Sequence, residues 1–230
     1  MDMTGQARPP APESYRERRR MIARQLVHRG IRNRRVLAAM ARIPREWFVS
    51  PALRAEAYAD APLPIGNGQT ISQPFVVALM TDMLAPHRHD RVLEVGAGSG
   101  YQTAVLALLC GRVYAVERLP DLLVEAEERF RRLGLTNIET RLGDGAQGWP
   151  EAAPFNGVLV AAAAPDVPHP LLEQLAPGGR LVIPIGDMAA QELRVYQRTD
   201  SDVHGRPAGE VRFVPLISRL GFTESGGEWS

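Results

Sequence analysis

The sequence predicts a doubly wound α/β protein, a mostly parallel sheet of about seven strands with helices added at its N-terminal end. Three observations carry that prediction. From residue 87 onward, short and nearly continuous apolar runs alternate with helical segments, the pattern of strands covered on both faces. The first of these runs, Val92-Leu93-Glu94-Val95, passes directly into a glycine-rich turn and then a helix. Each helical segment stops near Gly or Pro, the residues that end helices.

Taken in order, residues 1–13 carry three prolines and little apolar content, so they read as a disordered lead-in. Over residues 14–29, Tyr15, Ile22 and Leu26 recur at roughly helical spacing and Gly30 offers a cap. The triplet Arg18-Arg19-Arg20 is diluted by Glu13 and Glu17 just before it and reads as a solvated helix face. A second helix starts near Asn33, carries Val36, Leu37 and Met40, and stops before Pro44. Residues 51–71 show no periodicity and read as a long loop of the functional kind. Pro74 opens a helix running to about Leu84, with Ser72 or Gln73 capping it. Strands are predicted over 91–95, 113–117, 138–142, 157–161 and 180–184, with helices between them at about 101–109, 120–133 and 170–175. Two later strands, 192–197 and 211–215, flank a polar stretch holding Gly205, Pro207 and Gly209, and pair as a hairpin. The tail from Thr223 is expected to fray. Residues 14–222 thus form a single domain, 14–86 its N-terminal helical part and 87–222 its Rossmann-like core.

Composition narrows the function. A chain of 230 residues that is 45% hydrophobic and 23% charged has material for one sizeable core. Its net charge of +1 and 6% aromatic content supply neither the basic channel nor the stacking residues of a nucleic-acid binder. All 27 cationic side chains are Arg, which excludes Schiff-base, P-loop and general-base lysine chemistry. The single Cys110 forms no internal disulfide, and with the absence of a signal-type N-terminus it points to the cytoplasm. No run of about 20 apolar residues spans a membrane. His87 and His89 have no Cys or acidic partner at ligand spacing, so no metal site is expected. Trp47 and Trp149 read as packing residues, and without a long exposed apolar stripe the chain reads as a monomer.

The chemistry lies in the turn. A dinucleotide fingerprint needs its third glycine where Tyr101 stands; the glycines are Gly96, Gly98 and Gly100 instead. The residues around Ser99 do not form a hydrolase elbow. Glu117, at the end of the next strand, follows Gly100 by 17 residues and is placed to accept both hydroxyls of a ribose. Gly143-Asp144-Gly145, after the third strand, places a carboxylate for an adenine amino group. Gly turn, Glu117 and Asp144 fall at three successive strand ends, which suggests a nucleoside-bearing cofactor without a pyrophosphate, S-adenosylmethionine rather than NAD.

Four stretches carry a resemblance. The loop Pro62-Leu63-Pro64-Ile65-Gly66-Asn67-Gly68-Gln69-Thr70-Ile71-Ser72-Gln73-Pro74, with the segments 98–107, 162–168 and 175–181, resembles the bacterial protein-L-isoaspartate O-methyltransferases over about residues 20–220. The resemblance implies a Rossmann-like class I methyltransferase fold. It also implies methyl transfer from S-adenosylmethionine to the free carboxylate of L-isoaspartyl residues in damaged proteins and peptides, which favours succinimide formation and return toward aspartate. By the same matching Ser72 is the active-site hydroxyl, and Gln69, Thr70 and Ile71 close the cofactor pocket. Glu94 and the turn with Gly96, Gly98 and Gly100 line its methionine end, Glu117 its ribose and Asp144 with Gly145 its adenine. Ala163, Ala164 and Pro165, with Val214, Pro215 and Leu216, resemble the walls that receive the substrate. Asn67 departs from the family, where His often precedes Gly-Gln-Thr.

A carboxylate with pKa near ~4 is already ionised at neutral pH, so the reaction needs positioning and water exclusion rather than a base. Ser72 has an alternative reading, as the cap of the helix that Pro74 opens. Two other functions keep the same cofactor site: methylation of ordinary aspartate in one dedicated peptide, and a binding module that no longer turns over.

Overall fold

The computed structural model describes residues 12–223. The expected lead-in over 1–13 lies outside the described residues except for Pro12 and Glu13, which already belong to the first helix, and the tail expected to fray lies outside them beyond Thr223.

Helix α1 (Pro12–Met21) continues as a wider π-helical segment, Ile22–Val27, in which His28 N–H donates to Ala23 at 3.1 Å. Helix α2 (Arg34–Arg42) is capped as its sequence predicts, the Asn33 carboxamide accepting from the Arg35 and Val36 amides. The expected loop over 51–71 is more ordered than predicted. It holds a 3-10 segment, Pro51–Glu56, and a hairpin of β1 (Leu63–Gly66) and β2 (Gln69–Ile71). Asn67 and Gly68, with φ of 53° and 67°, form its two-residue turn, the geometry that Asn-Gly favours.

Helix α3 (Pro74–Leu84) leads to the core. Strand β3 (Arg91–Val95), helix α4 (Tyr101–Ala107), strand β4 (Arg112–Glu117), helix α5 (Pro120–Leu133) and strand β5 (Ile138–Leu142) make one half. Strand β6 (Phe155–Val160), helix α6 (His169–Glu173) and strands β7 (Leu175–Gly186), β8 (Gln191–Arg198) and β9 (Val203–Val211) make the other. The seven-stranded sheet runs β5-β4-β3-β6-β7-β8-β9. Strands β3 to β7 pair in parallel; β8 and β9 are antiparallel additions at one edge.

The order reverses at β3, which lies between β4 and β6, so the crevice beyond its carboxyl end is where ligands bind in such sheets. One face of the sheet packs on α3 and α4 through Met80, Leu84, Val92, Leu106 and Leu159, and the N-terminal helices stack outside them around Met40, Phe48 and Tyr101. The opposite face, with Leu93, Val158 and Leu181, is covered by α6.

Two expectations about the edge are corrected. The polar stretch around Gly205, Pro207 and Gly209 is strand β9 itself, and the hairpin turns at residues 199–202, where Thr199 N–H donates to Asp202 at 2.8 Å. An edge strand exposed along most of its length has no apolar face to show in its sequence. Of the strand expected at 211–215, Val211 ends β9 opposite Gln191, and the rest is irregular, with a bridge from Pro215 to Ala163. The tryptophans do have ring partners: Arg132 lies 3.8 Å from the Trp47 ring centroid, and Trp149 meets Tyr114 edge-on at 5.5 Å.

Candidate functional site

Three neighbouring strand ends build a cavity because β3, β4 and β5 lie side by side in register. Gly96 N–H donates to Val116 at 2.9 Å and Gly143 N–H to Glu117 at 2.9 Å, which ties the turn after each strand to the strand beside it. The cavity encloses about 840 Å³ with its open mouth. Gln69, Thr70, Ile71 and Ser72 line one side, Gly96 and Gly98 the floor, Glu94, Glu117 and Gly145 the inner end, and Val214, Pro215 and Leu216 the opposite side. Most of the residues singled out from the sequence therefore meet in one place.

Glu117 is the most firmly held. One carboxylate oxygen accepts from Gly98 N–H at 2.8 Å, and the other from the amides of Arg118 and Leu119 at 2.8 and 3.0 Å. Its orientation is set before any ligand arrives. Glu94 is the reverse case: it is fully buried, and neither carboxylate oxygen has a hydrogen-bond partner among the described residues. Burial pushes its pKa up to about 8, and the charge of Glu117 adds to the rise. The Thr103 hydroxyl nearby opposes that shift without cancelling it. An orphaned carboxylate of this kind, lining a cavity, fits a cationic ligand.

Gly145 is required by close approach. A Cβ there would lie 2.3 Å from Val95 Cγ1, so the backbone at the end of β5 can come this near the floor only without a side chain. Gly100 serves another purpose. It does not line the cavity; with φ of 86° it opens α4, and a Cβ would meet the Phe130 ring at 2.7 Å. Its smallness seats α5, correcting the expectation that it touches a ligand.

Asp144 is not among the lining residues, although Gly145 beside it is. It caps a short 3-10 segment by accepting from Ala146 N–H at 3.0 Å, and its other oxygen accepts from the Ser218 hydroxyl at 2.7 Å.

A second cavity, about 920 Å³ with its mouth, adjoins the first. Thr70, Ser72, Ala161 and Val214 line both. Ser72 does not cap α3: Gln73 holds that position without a side-chain bond, and the Ser72 hydroxyl makes no hydrogen bond among the described residues. It is left free at the partition. The expected substrate walls shift by two residues. Ala163 and Ala164 are fully buried, their backbones occupied by Val214, Leu216, Pro184 and Gly186, and Pro165 is exposed outside both cavities. Ala161 lines both cavities and Ala162 the first alone. Phe75, Val76 and Leu79, which line the second cavity, were not singled out from the sequence. Their signal is their own helical spacing, Leu79 following Phe75 by four residues and Val76 by three, which places them on one face of α3. Arg29 stacks over Phe75 at 3.5 Å from the ring centroid and pairs with Asp60 at 3.1 Å at the rim. Among the described residues no group of three His, Cys, Asp or Glu could hold a metal ion.

Comparison with known proteins agrees with this geometry. A protein from Methanoregula boonei named protein-L-isoaspartate O-methyltransferase is 52% identical over 213 residues, 93% of this chain and 98% of its own. A solved protein-L-isoaspartate O-methyltransferase superposes with a TM-score of 0.80 at 30% identity, covering 89% of this chain and 67% of that one. A Plasmodium falciparum structure described as a putative protein-L-isoaspartate O-methyltransferase in complex with S-adenosyl-L-homocysteine gives a TM-score of 0.75 at 26% identity, over 87% and 98% of the two chains. With residues 16–221 matching the family model for protein-L-isoaspartate(D-aspartate) O-methyltransferase, the chain belongs to that family.

Proposed function

We propose that this protein transfers a methyl group from S-adenosylmethionine to the free carboxylate of L-isoaspartyl residues in damaged proteins and peptides, initiating repair through the ester and a succinimide. The observation that carries the reading is Ser72, whose free hydroxyl faces both cavities at their shared wall. The first cavity suits the cofactor, because the unpartnered Glu94 answers a cation and the pre-set Glu117 answers a ribose. The second suits an extended peptide, with Phe75, Val76 and Leu79 giving it an apolar floor.

When bound, S-adenosylmethionine supplies a methyl group on a positively charged sulfur. The chain's own residues do the rest. Ser72 donates a hydrogen bond to one oxygen of the isoaspartyl carboxylate and directs the other toward the methyl carbon. The carboxylate would take up the methyl group in its ionised form, so none of these residues has to accept or give up a proton. Gln69, Thr70 and Ile71 on one side and Val214, Pro215 and Leu216 on the other exclude water from the reacting oxygen. Asp144 and Gly145 receive the adenine end. Positioning of this kind is worth ~7–11 kcal/mol in favourable cases.

The reading extends to a monomer in the cytoplasm that binds no nucleic acid. Support comes from the net charge of +1, the single cysteine, and exposed large apolar residues as scattered along the chain as Val27, Val124 and Leu220. No helix among the described residues is long and apolar enough to cross a membrane.

The test is transfer of labelled methyl to an isoaspartyl peptide, with the matching aspartyl peptide as control. Base-labile methanol from the isoaspartyl peptide alone is expected. Ser72→Ala lowers the rate at least about tenfold while leaving S-adenosylhomocysteine affinity within about twofold. Equal rates in the variant remove Ser72 from the reaction, and no label on either peptide removes the assignment.

A further inference from the structure

The wall formed by residues 214–217 has no regular secondary structure. Its first part is held by backbone: Ala163 N–H donates to Val214 at 2.8 Å and Leu216 N–H to Ala163 at 2.7 Å. Beyond Leu216 the chain folds into a turn closed on itself, with Phe222 N–H donating to Leu216 at 2.8 Å and Ser218 N–H to Phe222 at 3.0 Å. This turn carries Ile217 into the cavity lining. A side-chain bond then reaches across: the Ser218 hydroxyl donates to Asp144 Oδ2 at 2.7 Å, joining residues 74 apart in sequence. The same hydroxyl accepts from Leu220 N–H at 3.1 Å, so both its donor and an acceptor position are committed.

We infer that Ser218 is a positioning residue of the cofactor site, which fastens the C-terminal turn to Asp144 and holds that carboxylate in the orientation that accepts the exocyclic amine of adenine. The inference rests on reading Asp144 as the adenine acceptor. Asp144 Oδ1 accepts from the Ala146 amide and Oδ2 from the Ser218 hydroxyl, so the carboxylate is held at both oxygens and each keeps capacity for one further donor. A carboxylate oxygen accepts two donors. With both oxygens held, the carboxylate presents its remaining acceptor positions in fixed directions, and the same bond ties the turn that carries Ile217 into the cavity lining. Without the hydroxyl, Asp144 is exposed and free to swing into water, and the turn loses its tie to the far side of the cavity.

The test is calorimetry with two ligands, S-adenosylhomocysteine and its inosine counterpart, in which a carbonyl oxygen replaces the exocyclic amine. In the wild type the adenosine form binds more tightly. Ser218→Ala is expected to weaken it about five- to tenfold, the scale of one hydrogen bond to a charged group near solvent. The inosine form changes by less than about twofold, so discrimination between the two shrinks, and Ser218→Thr restores it. Equal weakening of both ligands would make the turn a nonspecific cover and overturn the inference, as would unchanged affinity for the adenosine form. A wild type that binds neither ligand overturns the cofactor reading itself. Amide exchange over residues 214–222 of the free protein separates these cases, since loss of the bond accelerates exchange there in Ser218→Ala whatever the ligand.

Discussion

Replacing Glu94 by Gln should stabilise this protein at neutral pH and weaken its hold on the cofactor. The buried carboxyl has its pKa raised from the ordinary 4.5 to about 8, mainly by burial. As pH rises past 4.5 an unfolded chain releases this proton while the folded chain keeps it, so folding binds the proton and stability falls until the folded group also ionises near pH 8. Each pH unit in that window costs about 1.4 kcal/mol, so at pH 7 the wild type has lost roughly 3 kcal/mol that a neutral amide of the same shape does not lose. Urea unfolding of both proteins between pH 4.5 and 8.5 should show curves that coincide at the acid end and separate steadily to about pH 8. A constant gap across the range would refute the argument, because it would mean that Glu94 titrates alike in both states. The same substitution removes a carboxyl that a bound cation would favour in its ionised form, and affinity for S-adenosylmethionine should fall more than affinity for the uncharged-sulfur product. Stability and binding therefore pull against each other at one side chain.

Gly100→Ala combines a left-handed backbone with a Cβ driven into Phe130, and about 2–4 kcal/mol of stability should be lost in denaturant titration. Since Gly100 does not line the cavity, the folded fraction should bind S-adenosylhomocysteine normally; intact stability with lost binding would return Gly100 to the site. Cys110 is buried and burial pushes its thiol up to about 12, so alkylation by iodoacetamide at pH 8 should run at least about 100-fold slower in the folded protein than in urea. Labelling at comparable rates would show that the end of α4 opens readily.

Much of the site was legible because its chemistry is local. Glu117 and the glycines of residues 96–100 announce themselves at the ends of apolar runs, and the parallel register brings those ends together without further information. The division of labour among the glycines was not legible, since whether a glycine faces a ligand or a neighbouring ring depends on α5, which packs from 30 residues downstream. Asn67-Gly68 was the overlooked signal: it marked a hairpin inside what read as a loop, and it supplies a reason for Asn where the family often has His, because Asn tolerates positive φ more readily. Ala163 and Ala164 were misplaced for a different reason. Four consecutive alanines offer no pattern by which to tell the ones that face a cavity from those whose backbones anchor the chain at Val214 and Pro184. Strand β9 hid because an exposed edge needs no apolar alternation.

The two cavities meet along residues that belong to both. Joined in this way they work as an aperture measured by reach. A carboxylate carried on a flexible backbone segment extends through it to meet the methyl group, whereas one fixed within a helix or strand of an intact protein stops short. Discrimination between damaged and sound polypeptide then needs no recognition of the flanking sequence, only a test of how far the chain can be drawn toward Ser72, and the same doorway serves many different proteins.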